Sequence, residues 1–486
     1  MRKKWGNRIG AIVLACALTM SGLPVQSIST STRKAYAAAK SETEKQDVSQ
    51  PETKMGNVVL NGNDIAVNNV NGLTYKGFGM LSGNSTSDLL MDYKAEQPKA
   101  YAELMQYLFG GNYPIMNHVK LEMGNDRNTS TGPESCTKRT EKEKANVLRN
   151  PGWQLAADAK KINPKIKVSI LRWEAPVWAG TDEKIYQWYK ETILDAYEKY
   201  GYMVDYINPN INEKWDVDSD VAFTKKFAKW IAAETKETIP DEKALALYHK
   251  IKLVVSDEAG TASDSVVESM KSDSDFYNSV DVVGYHYSPW DDSNGGMKWL
   301  AQTKDKEVWN SEAQATFSNS AFRPSNNVKD PTTEGTGLGG TGSALEMANT
   351  FIKGFVQSRR SHVIYQPAIG SFYEGAQFSF KELVGARDPW SGWIHYDAGL
   401  LMLAHISKFA VTGWENEDNT AGIWRAVPQA SKCTADGTNP VNGRNGGENY
   451  MTLAAPAKDN FSTVIVNDSE YPMTYTLKTQ NMNLKA

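Results

Sequence analysis

Two glutamates in this sequence stand where they could act as a pair. Glu213 follows Asn212 at the end of a short apolar run, and Glu312 closes the run Trp309-Asn310-Ser311-Glu312. Two facing carboxyl groups are what cleavage of a glycosidic bond requires. One is protonated and donates to the leaving oxygen; the other is ionised and attacks the anomeric carbon. A separation of about 5 Å supports double displacement with retained configuration, whereas about 6.5–9.5 Å leaves room for a water molecule and gives inversion. Burial and mutual repulsion drive the two pKa values apart and so assign the roles. The amide of Asn212 is suited to hydrogen-bond a sugar 2-hydroxyl, a contact that tightens in the transition state. Either glutamate alone is a weak signal in a chain with 57 Asp and Glu. The pair carries weight only if a fold brings them together.

The elements around them supply that fold. Eight β-branched or aromatic runs recur at 75–81, 115–122, 167–173, 204–210, 251–256, 280–287, 307–311 and 362–369. Segments of helical period lie between several of them, at 98–108, 184–200, 220–237 and 343–360. Eight strands alternating with helices predict an α/β fold, a (β/α)8 TIM barrel, whose active site lies at the C-terminal ends of the strands. Glu213 then leaves the fourth strand and Glu312 the seventh, across the barrel mouth from each other. The third strand ends Arg172-Trp173-Glu174-Ala175-Pro176-Val177-Trp178, and the sixth ends Gly284-Tyr285-His286-Tyr287. Trp173 can serve as an apolar platform under a pyranose ring or as core packing. His286 can orient the nucleophile, bind a hydroxyl or be structural; Tyr287 beside it is a further candidate for substrate contact. Glu174 reads as a rim residue.

The flanks read differently. Residues 1–37 have six basic residues and no acid, an apolar stretch at 9–20 and an Ala35-Tyr36-Ala37 site, the pattern of a secretory signal peptide. The apolar stretch is too short for a stable membrane span, so the expectation is a secreted, extracellular protein with no integral membrane span after cleavage. Removing those six charges from a net −4 leaves −10, which argues against a nucleic-acid partner. Residues 38–56 read as a flexible linker. Strand-like segments at 57–60 and 64–67, with an Asn61-Gly62 turn between them, are expected to join strands at 422–426, 449–454, 462–466 and 473–477 in one β layer. The predicted organisation is therefore strands of an accessory antiparallel β-sandwich at 57–72, a catalytic barrel at 73–412 and the rest of the sandwich at 413–486. Cys136 and Cys433 lie outside any CxxC, and the sequence leaves open whether they pair. No HExxH, GxSxG or Walker sequence occurs. Gly335-Thr336-Gly337-Leu338-Gly339-Gly340 fits GxGxxG, but no strand feeds it directly and no βαβ unit frames it. Neither a metal nor a cofactor is expected.

At these residues the sequence resembles the galactocerebrosidase family, glycoside hydrolase family 59. The matching stretches are Gly77-Phe78-Gly79 with Ser82-Gly83, then 121–135, 173–180, Asn212-Glu213, 280–287, 308–312, 337–344 and Asp388-Pro389-Trp390-Ser391-Gly392. Together they cover about residues 73–466. The resemblance implies a retaining exo-β-galactosidase acting on a carbohydrate or glycoconjugate, with Glu213 as acid/base and Glu312 as nucleophile. It places Thr129 or Ser130, Trp173 and Asn212 in the galactose pocket. Tyr365 falls where the family has a sugar-contacting Trp, and Phe378 near a pocket Tyr. Lys214 and Ala313 depart from the family's Arg and acid at those positions. The Trp-x-x-Pro-x-Trp run and Asn212-Glu213 are also similar to glycoside hydrolase family 30. That similarity implies, as an alternative, an endo-glycanase acting on xylans or β-1,6-glycans. A non-catalytic carbohydrate-binding barrel is the rival from another class.

Overall fold

The computed structural model describes residues 51–485 except 69, 84–85, 130–131, 259–260, 288–294, 314–343, 367, 371–382, 387, 410–423, 434–446 and 470. The segment read as a signal peptide, the Gly335–Gly340 run, Ser130 and Phe378 lie outside these residues.

Eight parallel strands close into a barrel. In chain order they are Phe78–Ser82, Met116–Glu122, Lys167–Arg172, Tyr206–Ile211, Lys252–Glu258, Val282–His286, Glu307–Ala313 and His362–Tyr365. Each overlaps one of the eight runs predicted above. The strands are buried on both faces because helices cover the outside and the barrel fills the inside. Leu81, Leu171, Tyr206, Val254, Val282, Trp309 and Ile364 pack the interior. The layer under the helices is built on Trp153, Trp188, Tyr189 and Phe227.

Local signals set the helices that frame the site. Thr181 caps Asp182–Tyr200, and Gly201 ends it at φ 77°, the left-handed conformation a glycine adopts without cost. The Asp216 side chain accepts from the Ser219 N–H and starts Val217–Ala233, so only a short turn separates Glu213 from a fixed helix. The helix expected over 343–360 runs as Ala344–Ile352 and then one π-helical stretch, Lys353–Gln357.

Polar groups also occupy the barrel interior. The His362 Nδ1 contacts the Gly77 carbonyl at 2.7 Å, His362 Nε2 contacts His118 Nδ1 at 2.9 Å, and His118 Nε2 contacts Ser169 Oγ at 2.8 Å. A carbonyl only accepts, so the proton order is fixed from that end. His362 Nδ1–H donates to Gly77, His118 Nδ1–H donates to His362 Nε2, and Ser169 O–H donates to His118.

Segments from both ends of the described chain flank the barrel. Lys54–Asn61 pairs with Met473–Gln480 in a parallel two-stranded ladder, not the antiparallel layer expected. A separate antiparallel sheet holds Arg425–Ala426, Lys432–Cys433, Asn449–Ala454 and Phe461–Val466. Leu60, Ile65, Val427, Ala430 and Ala454 form a small core joining the two. The Tyr450 hydroxyl donates to the Asn57 carbonyl at 2.9 Å. The strand expected at 64–67 does not form. The Asn61 side chain instead accepts from the Asn63 N–H at 3.0 Å and opens a 3-10 turn, Gly62–Asp64. Cys136 and Cys433 are not joined to each other by a disulfide.

Candidate active site

Glu213 follows the fourth barrel strand and Glu312 lies in the seventh. Their placement depends on irregular backbone. Glu213, Ser256, Asp257 and Tyr287 have φ of 54°, 75°, 46° and 61°, a region that non-glycine residues rarely occupy. All four sit at or just past the ends of the fourth, fifth and sixth strands. The ladders also slip there: between Ser256 and Glu258, between Asn310 and Glu312, and between Ile170 and Arg172. Such bulges re-aim side chains at a barrel rim, and strain of this kind concentrates at functional sites.

The result is one cluster. A carboxylate oxygen of Glu213, one of Glu312 and a ring nitrogen of His286 all lie within 4.8 Å of one another. The Tyr287 hydroxyl is 2.7 Å from Glu213 Oε1 and 2.5 Å from Glu312 Oε1. A phenol carries one proton and donates to one carboxylate. The second contact closes only if one of the two glutamates is itself protonated and donates to the phenol oxygen. The geometry therefore describes a pair of carboxyl groups sharing a proton across Tyr287.

Burial is the largest influence on both carboxyls and raises both. At Glu213 the hydrogen bonds from His286 and Tyr287 and the charge of His286 outweigh it, leaving that carboxyl below its usual range. Glu312, fully enclosed and facing the charge of Glu213, stays above its usual range although His286 opposes the shift.

His286 is completely buried, with its Nδ1 facing the two carboxyls. Its Nδ1 lies 3.0 Å from Glu213 Oε1 and 3.9 Å from Glu312 Oε2, which makes it a partner of the fourth-strand glutamate first. Asn212 is fixed by its N–H donating to the Arg172 carbonyl at 2.9 Å, yet both side-chain amide atoms are buried without a hydrogen-bond partner among the described residues. The Trp173 Nε1–H is also buried without one, and its ring packs half-buried on the barrel interior. Unpaired buried donors and acceptors are costly unless something else satisfies them.

Other expected residues fall farther out. Thr129 lies in a two-residue strand, Asn128–Thr129, paired with Gly132–Pro133. Tyr365 is buried against Phe78 and lines a small cavity together with Tyr287 and Ala313. Glu174 is on the rim, in an exposed ion pair with Arg127. Two residues that sequence reasoning passed over stand behind His286. Asp257 is completely buried with its Oδ1 3.4 Å from His286 Nε2, and the Lys120 ammonium is 3.1 Å from the same oxygen. An acid directly after Ser256 and a lysine inside a fully buried strand were the available signals.

A barrel with two facing glutamates at the C-terminal ends of its strands has the arrangement that glycoside hydrolysis uses. The model of Glycosyl hydrolase family 59 matches residues 75–408, and the chain belongs to that family. It is 26% identical over 357 residues to a galactocerebrosidase of Danio rerio, covering 71% of this chain and 46% of that protein. It thus spans about half the length of that relative. Among solved structures, the fold is similar to an endo-β1,6-glucanase (TM-score 0.56, 15% identity, 86% of this chain and 87% of that one). It is also similar to the catalytic domain of the GH30 xylanase C from Talaromyces cellulolyticus (TM-score 0.51, 12% identity, 82% and 86%). Among the described residues no helix is long and apolar enough to cross a membrane.

Proposed function

We propose that this chain is a secreted retaining β-glycosidase that removes terminal β-galactosyl groups, a galactosylceramidase-like activity, by double displacement. The observation that carries the reading is the approach of the Glu213 and Glu312 oxygens to within 4.8 Å, bridged by one hydroxyl. That gap fits direct attack on the anomeric carbon and leaves no room for an intervening water. The name of the family's relatives supplies the galactoside part of the reading.

Glu312 attacks the anomeric carbon while Glu213 gives its proton to the leaving oxygen. A glycosyl ester on Glu312 results. Glu213, now ionised, takes a proton from water, which attacks the ester and regenerates the free acid. Glu213 must hold the proton at the start, and Glu312 must be ionised. The Tyr287 hydroxyl, in contact with both, is the route by which it crosses. As Glu312 gives a proton to the phenol oxygen, the phenol proton passes to Glu213. Asn212 supplies donor and acceptor to the sugar 2-hydroxyl, and Trp173 offers its ring edge and free N–H to the glycone.

The test is hydrolysis of aryl glycosides with the product anomer followed by proton NMR. Release of β-galactose as the first-formed anomer from an aryl β-galactoside supports the reading. Initial α-galactose, or cleavage of β-1,6-glucan or xylan with no action on β-galactosides, overturns it. Binding of galactosides without turnover moves the protein to the class of carbohydrate-binding barrels. Recovery from culture medium of a chain beginning after Ala37 tests the export part.

A further inference from the structure

Behind the carboxyl pair lies a second layer of charge that does not reach the ligand. Asp257 and His286 are completely enclosed and Lys120 nearly so. Asp257 Oδ1 forms an ion pair with the Lys120 ammonium at 3.1 Å and lies 3.4 Å from His286 Nε2, while Asn208 Nδ2 donates to Oδ2 at 2.8 Å. Lys120 also donates to the Ser311 carbonyl at 3.3 Å, next to Glu312. The main chain joins the same group, since the Glu213 N–H donates to the Asp257 carbonyl at 3.1 Å. Gly284 makes room for this arrangement: a Cβ there would stand 2.6 Å from Asp257 Oδ1. The carboxylate is thus held at a strained φ of 46°, against a strand stripped of its side chain.

We propose that Asp257, clamped by Lys120, is a positioning residue that keeps His286 doubly protonated with its Nδ1–H aimed at Glu213, and so prepares the acid/base for both of its proton transfers. The proposal rests on Glu213 having that role. His286 has carboxylates on both sides, which favours the charged ring: Glu213 hydrogen-bonded at Nδ1, with Glu312 beyond it, and Asp257 at ion-pair distance from Nε2, out of hydrogen-bond alignment. Burial works against a charge on His286, but Glu312, Asp257 and Glu213 outweigh it and push its pKa up to about 9. Glu258, held by the Trp215 N–H, is the remaining acid whose charge reaches the ring. Fixed in this way, the imidazolium stabilises Glu213 when it is ionised and keeps its carboxyl from turning away when it is protonated.

Two measurements test this. The first needs no substrate. Nitrogen-15 NMR of the His286 ring, assigned by its absence in His286→Gln, is expected to show both nitrogens protonated through pH 7.5. In Asp257→Asn the ring is expected to lose a proton at least one pH unit lower. A neutral His286 in the unaltered protein at pH 7 overturns the proposal whatever the enzyme does. The second uses aryl β-galactosides of graded leaving-group acidity. Asp257→Asn is expected to lower kcat/KM at least tenfold for poor leaving groups and less than threefold for dinitrophenyl, with KM little changed. Lys120→Met should do the same more weakly. In a Glu213→Ala background Asp257→Asn should add less than threefold. Equal loss for all leaving groups, or full additivity with Glu213→Ala, overturns the proposal and leaves the glycosidase reading intact. Absence of any hydrolysis by the unaltered protein counts against that reading, while the NMR result still decides this one.

Discussion

The N–H of Glu213 donates to the carbonyl of Asp257 across 3.1 Å, tying the end of the fourth strand to the end of the fifth. The side chain of Asp257 then reaches the ring that holds the carboxyl of Glu213. One residue thus bears on both the backbone and the side chain of the glutamate proposed as acid/base. A barrel with open strand ends can keep a catalytic carboxyl at tenths of an ångström only by such cross-strand ties.

Removing each glutamate separates the two roles. Glu312→Ala is expected to abolish double displacement, and azide should restore part of the rate with inverted product. Glu213→Ala should keep the first step for dinitrophenyl glycosides and accumulate the glycosyl-enzyme, with azide rescue giving retained product. Product configuration by NMR and intact-mass detection of the ester read these outcomes. The reverse pattern exchanges the roles.

Tyr287→Phe removes the hydroxyl shared by both carboxyls. The expected effect is a fall in kcat of about 10²-fold with a small change in KM, since the contact serves charge and proton placement and not glycone binding. The two limbs of the kcat/KM pH profile should also move apart or together, because Glu213 and Glu312 no longer titrate through a common bridge. Steady-state kinetics from pH 4 to 9 measure both. A variant with unchanged kcat would show the bridge to be idle.

The histidine chain inside the barrel should make stability fall in acid. Burial is the main cause that lowers both rings, taking His362 down to about 4 and His118 well below its ordinary range. Each folded-state pKa is below the unfolded value of about 6.5, so the stabilisation is complete above that pH and is lost as pH falls through it toward 4. For His362 alone this amounts to about 3 kcal/mol between pH 7 and pH 4. Urea midpoints measured across this range should drop steeply, and His362→Gln should flatten the slope.

Gly62 lies where the N-terminal strand meets the end of the last one. A Cβ at this position would overlap the Asn481 carbonyl, a backbone atom that cannot swing aside. Gly62→Ala is therefore expected to destabilise the flanking sheets by about 1–3 kcal/mol. Thermal unfolding followed together with galactoside turnover should show a lower melting temperature and an intact active site.

The two glutamates were legible because the barrel's regular alternation puts strand ends in known places, and an Asn-Glu there has few other uses. The layer behind them was not. The fifth run looked finished at Ser256, since the apolar pattern stops there, yet the strand continues to Glu258 through a slip in the ladder. Lys120 sits within a strand whose two faces are both buried, where a charge needs a partner that only the closed barrel reveals. His286 ends the sixth strand, as its run suggested, but its approach to Glu213 at 3.0 Å and to Glu312 at 3.9 Å is set by the folded backbone. Asn61-Gly62 followed hairpin rules on paper. The strand before it instead found its partner far along the chain, a choice that local pattern cannot express.

That distant partner has a consequence for how the molecule is made. Asn61 and Asn481, joined by a hydrogen bond, are 420 positions apart. As the chain emerges from the ribosome, the stretch 54–61 must wait, its hydrogen-bonding edge unoccupied, while all eight barrel strands are synthesised. Closing so large a loop comes late and slowly compared with neighbouring strands of the barrel. Barrel and flanking sheet therefore become complete at different times, and a chaperone or protease that recognises bare strand edges would meet residues 54–61 in the interval before 473–480 arrive.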